Sequence, residues 1–351
     1  MNKIKILITY KEKHKKLESD IIVPIQTGRA IATEIFDEMI GDDTGDNISA
    51  RNNQYCELTA QYWAWKHYEQ IGSPEYIGFM HYRRHFIFKE EFQVDKSNRW
   101  HPNACIYKVP YFDKQCNENL NSNNILSAID STYDCYVYKP YNINFFMDNN
   151  LYMKEHYIAT IPGAKRYVWD VFYNAVKSLY PQYEEVLNRF SYGHYMIFCN
   201  MFIMKKDLFF EFSEFAFNVL DKLYKEVDYS EFDSTEQRFC GYLGEYLLSM
   251  FVMILQDRNA KIKYLDGYFI EKPDEHYPNK TVICNNKKEK LNKPKQNKPY
   301  FININFFGIK FKIVDKKKAI YYHLKENSII LKQLSTKVTE LQEEISKIKQ
   351  S

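Results

Sequence analysis

The sequence predicts an α/β fold on three observations. Apolar runs of strand length stand at Lys3 to Tyr10, Glu75 to Met80 and Met201 to Met204. Amphipathic helical periodicity covers Lys165 to Leu179, Leu208 to Lys225 and Glu236 to Leu255. The chain has 351 residues, 45% of them apolar, enough for one large core or two ordinary ones. Disordered, collagen-like and purely coiled-coil chains are thereby excluded. The 30 Tyr and 25 Phe against 11 Gly and 11 Pro make the chain aromatic and glycine-poor, a skew with little functional content.

The first strand carries Ile4, Ile6, Leu7 and Ile8 and stops at the polar Tyr10-Lys11-Glu12-Lys13, as a buried first strand of a sheet would. After the loop Asp42 to Ser49, Asn47 or Ser49 caps a helix expected to run unbroken through Lys66, with Tyr55, Leu58, Tyr62 and Trp65 on one face. That face assigns Tyr62 and Trp65 to the core and leaves Trp63 as an exposed platform. The next strand ends at His81-Tyr82-Arg83-Arg84-His85, and strand ends are where open α/β sheets gather chemistry. From Trp100 to Asn150 the pattern is irregular except for a strand at Tyr133 to Tyr138, and a strand at Ala260 to Leu265 is expected to close the body.

Three regions follow from composition: a body over 1–284, a basic segment over 285–318 and a terminal helix over 319–351. Eleven Lys face Glu289 and Asp315 in the basic segment, a net +9, and five Lys face four Glu beyond it, which leaves the body at −7 within the chain's overall +3. An acidic body is a poor general nucleic-acid binder. Asn285 to Pro299 reads as a linker, and Phe301 to Ile313 alternates apolar and polar residues before Lys316-Lys317-Lys318. That alternation suits a basic, aromatic membrane-surface element or a hairpin packed on the body. In the last region Leu331, Leu334, Val338, Leu341, Ile345 and Ile348, extended upstream by Leu324 and Asn327, form short heptads expected to support homo-oligomerisation. The seven scattered cysteines contain no CxxC pair, and the N-terminus enters a strand pattern without a signal-peptide core. With no apolar run long enough to span a bilayer, a soluble cytoplasmic protein with reduced thiols is expected.

Three clusters carry potential chemistry. Two guanidiniums and two imidazoles at 81–85 form an oxyanion or phosphate site, the alternative being that Arg83 and Arg84 pair with surface carboxylates. Asn52 and Glu57, beside Asp46 and Asn47, suit sugar or ribose hydroxyls. His194 and Asn200 precede Asp233, then Arg238, Gly241, Tyr242 and Glu245, which share one helix face where a small residue leaves room for a ligand; the alternative is an Arg238–Glu245 arrangement without a catalytic role. No P-loop, GxSxG elbow, HExxH helix, EF-hand loop or basic recognition helix occurs.

Taken together, Val23-Pro24-Ile25-Gln26-Thr27-Gly28, Gly45-Asp46-Asn47-Ile48-Ser49, Tyr55-Cys56-Glu57-Leu58-Thr59, Tyr62-Trp63-Ala64-Trp65-Lys66 and Gly78-Phe79-Met80-His81-Tyr82-Arg83-Arg84 resemble the bacterial family catalogued as domain of unknown function 4422. Asn200-Met201-Phe202-Ile203-Met204 and Gln237-Arg238 with Gly241-Tyr242-Leu243 and Glu245 look like its C-terminal blocks, so the resemblance covers residues 3–270. Where the family usually shows Thr-His-Lys, this chain has Thr9-Tyr10-Lys11, and Tyr10 is expected to stack on a base in place of the His.

The resemblance implies a GT-A-like, Rossmann-type fold and a capsular-polysaccharide or O-antigen glycosyltransferase of hexosyltransferase type. A UDP-linked, galactose-type donor and a glycan or lipid-linked acceptor are then the expected partners. Thr9, Tyr10 and Lys11, with Asp46, Asn47 and Asn52, are expected to hold the nucleoside and donor sugar, while His81, Arg83 and Arg84 hold the diphosphate. Glu57, Trp63, Asn200 and Arg238 are the expected acceptor and sugar contacts. Glu245 is the first candidate for catalytic base, ahead of Asp233, with His194 on the acceptor side. No metal ligand is assigned at the Arg-rich strand end; the alternative is Mn²⁺ or Mg²⁺ on Asp42, Asp43 or Asp46. The basic segment is expected to bring the enzyme to the inner membrane face. A non-catalytic sugar- or nucleotide-binding partner of a polysaccharide assembly complex is the competing reading, with transfer of a non-sugar group more remote.

Overall fold

A computed structural model describes residues 3–100, 104–144, 151–161 and 163–274, together with the backbone of 300–306 and 309–315. The chain divides into two compact units, Met1–Asn279 and Lys280–Ser351.

The first unit is α/β, built on a ten-stranded sheet. Its strands are β1 (Ile4–Tyr10), β2 (Ile22–Gln26), β3 (Ile40–Gly41), β4 (Tyr76–His81), β5 (Arg84–Phe86), β6 (Ile106–Tyr111), β7 (Cys135–Tyr138), β10 (Phe202–Lys205), β11 (Ile262–Leu265) and β12 (Gly267–Lys272). A separate short ribbon pairs β8 (Tyr141–Asn142) antiparallel with β9 (Tyr195–Met196). The main path runs β11-β7-β10-β4-β1-β2-β3 and is parallel except at β10, which runs against both neighbours. At the end of β4 the chain turns through Tyr82 and Arg83 into β5, which pairs with β12, and β12 pairs in turn with β6. The apolar run of β1 is buried along nearly its whole length, which is why it reads as continuous rather than alternating.

The helices are α1 (Asn52–Tyr55), α2 (Leu58–Lys66), α3 (Lys114–Asn119), α4 (Ser122–Ala128), α5 (Met153–Thr160), α6 (Arg166–Leu179), α7 (Glu184–Ser191), α8 (Lys206–Glu226) and α9 (Phe239–Asp257). α8 lays Phe209, Phe212 and Phe215 into the core, touching β4, β10, α2, α6 and α9. α9 is apolar and long enough to pass for a membrane span by composition, yet it is largely buried in this unit, against α1, α7 and α8.

Two expectations are corrected. The helix expected from Ser49 to Lys66 is broken: a 3-10 turn at Ser49–Arg51 and α1 end at Cys56, whose φ of 51° cannot continue a helix, before α2 begins. The strand at Ile262–Leu265 does not close the body, because β12 follows it and completes the side sheet with β5 and β6.

In the second unit, β13 (Tyr300–Phe306) and β14 (Ile309–Asp315) form an antiparallel hairpin with Phe306 opposite Ile309. The linker at 285–299 and the terminal heptads lie outside the described residues.

Candidate active site

At the C-terminal ends of β1 and β4 lies a narrow crevice, closed to a water-sized sphere in this structure, lined by Thr9, Glu57, Gln61, Phe79, Met80, His81 and Asn200. A larger open hollow of about 600 Å³ sits at the other end of the same strands, beside Lys3, Glu75 and Lys205, where Lys205 is already paired with Asp134.

The break at Cys56 creates one wall. It turns Glu57 toward the sheet end and lets Cys56 Sγ accept from Arg238 Nε at 3.2 Å. α9 approaches this corner closely because Gly241 faces it: a Cβ there would lie 2.8 Å from Cys56 Sγ, and one on Gly244 would lie 3.0 Å from Asn200 Oδ1. The space beside Gly241, expected to receive a ligand, is therefore filled by the protein's own Cys56.

The opposite wall is strained backbone. Cys199 and Asn200 hold φ of 77° and 48°, rare for side-chain-bearing residues in succession. Asn200 Nδ2 donates to Glu57 Oε1 at 2.8 Å and to the Gly241 carbonyl at 3.0 Å, while its buried Oδ1 has no partner. The Cys199 carbonyl accepts from His81 Nε2 at 2.7 Å, which fixes the His81 tautomer. Burial holds the His81 pKa below its ordinary 6.5 despite the pull of Glu57, so the ring is neutral at pH 7.

Glu245, on α9, is pushed up to about 8, first by burial and then by repulsion from Glu57, with Arg84, the Cys199 N–H and Arg238 working against the rise. Arg84 lies over Trp100 at 4.9 Å and Phe269 at 5.6 Å, and Arg83 over Phe269 at 4.8 Å. Among the described residues neither guanidinium forms a carboxylate pair, and Arg84 Nε is buried without a partner. The surface-pairing alternative is not what holds them; aromatic faces are. Buried Gln61 adds another unpartnered donor, Nε2, one helical turn beyond Glu57.

The structure thus brings together Thr9, Glu57, His81, Arg84, Asn200, Arg238 and Glu245, with Arg83 beside Arg84 and with Lys11 near enough for its charge to act on Cys56. Other expected residues are engaged elsewhere. Tyr10 is fully buried, its hydroxyl accepting from Leu17 N–H at 2.9 Å and donating to the Lys15 carbonyl at 3.2 Å, so it offers no face to a base. Trp63 is 2% exposed and donates to Thr44 Oγ1, whereas Tyr62 and Trp65 are the half-buried rings. Asn52 donates to the Cys56 carbonyl at 2.7 Å and to Thr59 Oγ1 at 3.1 Å, and so builds the break instead of facing the crevice. Asp46 accepts from the Tyr62 hydroxyl, and Asn47 braces its own loop through Asp43, Gly45 and Ser49. Asp233 is exposed and caps the turn before α9 by accepting from Thr235 and Glu236 N–H. His194 Nδ1 lies 2.9 Å from the Leu151 carbonyl and 2.9 Å from Asn144 Nδ2, donating to the first in one tautomer or accepting from the second in the other. His85 alternates away from the crevice into the core, between Phe112 and Tyr268, and burial lowers its pKa to about 3.

Asp42 spends its carboxylate on the N–H groups of Gly28 and Arg29 and on the Ser49 hydroxyl, and among the described residues no three His, Cys, Asp or Glu side chains converge. Sequence reasoning missed Gln61, Trp100, Phe269 and the Cys199 backbone. The four-residue step from Glu57 along α2 was the one legible signal, for Gln61.

Residues 5–257 match the model of a family described as Domain of unknown function (DUF4422). Among solved structures, one described as the WbbM bifunctional glycosyltransferase in its apo form is similar, with a TM-score of 0.68 and 30% identity. The match covers 77% of this chain and 46% of that one, so the chain spans about half the length of that relative. No curated protein matches significantly. The mixed sheet and its likeness to this structure bear out the GT-A-like, Rossmann-type fold class.

Proposed function

The chain belongs to the DUF4422 family, and from that premise we propose that it is a glycosyltransferase that moves a hexose from a nucleotide-sugar donor, UDP-linked and galactose-type, to a capsular or lipopolysaccharide glycan. The observation that carries this reading is Arg84, stacked on Trp100 and Phe269, free of any carboxylate pair among the described residues and close enough to lower the pKa of Glu245. A guanidinium so held is pre-organised for an incoming anion and lies beside a carboxyl suited to proton transfer near neutral pH.

In this reading Arg84 and Arg83 take the diphosphate, and Thr9 and Lys11 at the end of β1 face the donor. Gln61 Nε2 and Asn200 Oδ1, a donor and an acceptor without protein partners, take sugar hydroxyls. Glu245 accepts the proton of the acceptor hydroxyl as its oxygen bonds to the anomeric carbon. The bond from that carbon to the phosphate oxygen breaks, and the nucleoside diphosphate leaves with its charge spread over the arginines. The basic segment Lys287 to Lys318 brings the enzyme to an anionic membrane carrying the acceptor.

The test is ligand-induced thermal shift against nucleoside diphosphates and sugar nucleotides, with Mn²⁺ and with EDTA. The reading expects a shift with UDP or a UDP-sugar that survives EDTA and disappears in Arg84→Ala. No shift with any nucleotide refutes it, and a shift that needs Mn²⁺ refutes the arginine assignment. Donor hydrolysis without acceptor separates an enzyme from a binding partner that does not turn over.

A further inference from the structure

β4 and β10 run antiparallel with Phe79 opposite Phe202, and the same register carried two residues further would set His81 opposite Asn200. The ladder ends before that point, because Cys199 and Asn200 are both left-handed, with φ of 77° and 48°. Neither is glycine, and a residue with a side chain keeps such a conformation only where its surroundings fix it. Two contacts do so here. His81 reaches across from the end of β4, and its Nε2–H donates to the Cys199 carbonyl at 2.7 Å. Asn200 Nδ2 donates to Glu57 Oε1 at 2.8 Å and to the Gly241 carbonyl at 3.0 Å. His81, Cys199 and Asn200 are all buried, so water does not readily replace either contact when it is lost.

The clamped pair serves two groups of the site. Both partners of Asn200 Nδ2 are acceptors, which settles the orientation of the amide and leaves Oδ1 as the atom without a partner. On its other side the Cys199 N–H acts on the Glu245 carboxyl. We propose that His81 is a positioning residue: through the Cys199 carbonyl it holds the left-handed pair, and the pair sets Asn200 Oδ1 and the Glu245 carboxyl in place. The roles of Asn200 and Glu245 toward a sugar and an acceptor hydroxyl rest on the transferase reading; the clamp itself does not. The diphosphate contact expected of His81 then falls to Arg83 and Arg84, which carry permanent charge where the buried imidazole is neutral.

The experiment compares the full chain with His81→Ala, His81→Gln and His81→Asn. The Gln amide places an N–H at about the reach of Nε2, and Asn is too short to span the gap. Infrared spectroscopy follows the protonated-carboxyl band of Glu245, assigned by its loss in Glu245→Gln, against pH and without any donor. His81 is neutral where Glu245 titrates, so replacing it removes no charge, and Glu57, Arg84, Arg238, Tyr141, Tyr242 and Tyr246 around the carboxyl are the same in every variant. In the Ala and Asn variants the Glu245 midpoint, about 8 in the native chain, is expected to rise by about half a unit to one unit, because the Cys199 N–H no longer lowers it. The Gln variant keeps the native midpoint. The thermal shift with UDP is expected to be the same in all, while kcat falls about tenfold to a hundredfold in the Ala and Asn variants and recovers in the Gln variant. Equal midpoints in the Asn and Gln variants overturn the clamp, and this comparison decides even where His81→Ala does not fold. Loss of UDP binding in all three variants overturns it too, in favour of His81 as a phosphate ligand. A midpoint that moves as expected in a chain that binds no nucleotide keeps the clamp and discards the transferase reading.

Discussion

Replacing Glu245 by Gln removes one ionisable proton and little else, and its consequences can be worked from the site. The carboxyl is lifted from its ordinary 4.5 to about 8 by burial and by Glu57. A carboxyl whose folded pKa is raised stabilises the fold below its ordinary pKa and loses that stabilisation as pH climbs through the raised value. Between these limits the unfolded chain has released the proton and the folded chain has not. Native stability therefore falls relative to Glu245→Gln by about 1.4 kcal/mol per pH unit, or about 4 to 5 kcal/mol in all. Urea melts of both proteins from pH 5 to 9 measure this directly, and the difference levels off above pH 8. Turnover moves the other way: a base with a pKa of about 8 is ionised in about a tenth of molecules at pH 7, so kcat rises about tenfold toward pH 9. Glu245→Gln should lose about 10²- to 10⁴-fold in kcat together with that limb. A stability difference that does not change with pH refutes the burial argument, and near-native turnover in Glu245→Gln refutes the base.

Gly241→Ala should destabilise by about 1 to 3 kcal/mol in thermal melts, although Ala usually favours a helix, because its Cβ meets Cys56 at 2.8 Å. Adding Cys56→Ala should recover much of that loss, and a neutral Gly241→Ala would show that the corner is loose. Replacing the six Lys between Lys287 and Lys298 by Gln should abolish co-sedimentation with phosphatidylserine vesicles at low salt while leaving turnover on a soluble acceptor intact; unchanged sedimentation refutes the membrane role.

Much of this was legible because strand burial and helix periodicity are local signals. β1 and β4 announce themselves as apolar runs, and the polar burst after Met80 marks the sheet end where the charge of Arg84 acts on Glu245. What escaped depends on backbone conformation with no compositional trace. The break at Cys56 and the left-handed Cys199–Asn200 pair involve no glycine, so nothing in the letters flags them. α2 is buried around most of its circumference, Leu58, Thr59, Ala60, Gln61, Trp63 and Ala64 included, so a one-faced periodicity puts Trp63 outside and Tyr62 and Trp65 inside when the structure does the reverse. Tyr10 and Asn52 look like ligand groups because hydroxyls and amides suit ligands, but a buried loop needs the same groups for itself. Trp100 and Phe269 lay in stretches without period and reach Arg84 only through the β5–β12 pairing.

The pairing of β8 with β9 also bears on how such a chain changes over evolutionary time. The chain between Asn142 and its hydrogen-bonded opposite, Tyr195, is an excursion with fixed anchor points. Helices α5, α6 and α7 lie within it, and α6 packs on α8 and α7 on α9, so their inner faces share the main core. Changes to its loops and outer faces leave the register of the main sheet and the Arg-bearing β4–β5 turn where they are. Descent within this architecture can therefore rewrite the outside of the excursion, while its inner face is inherited together with the body's core.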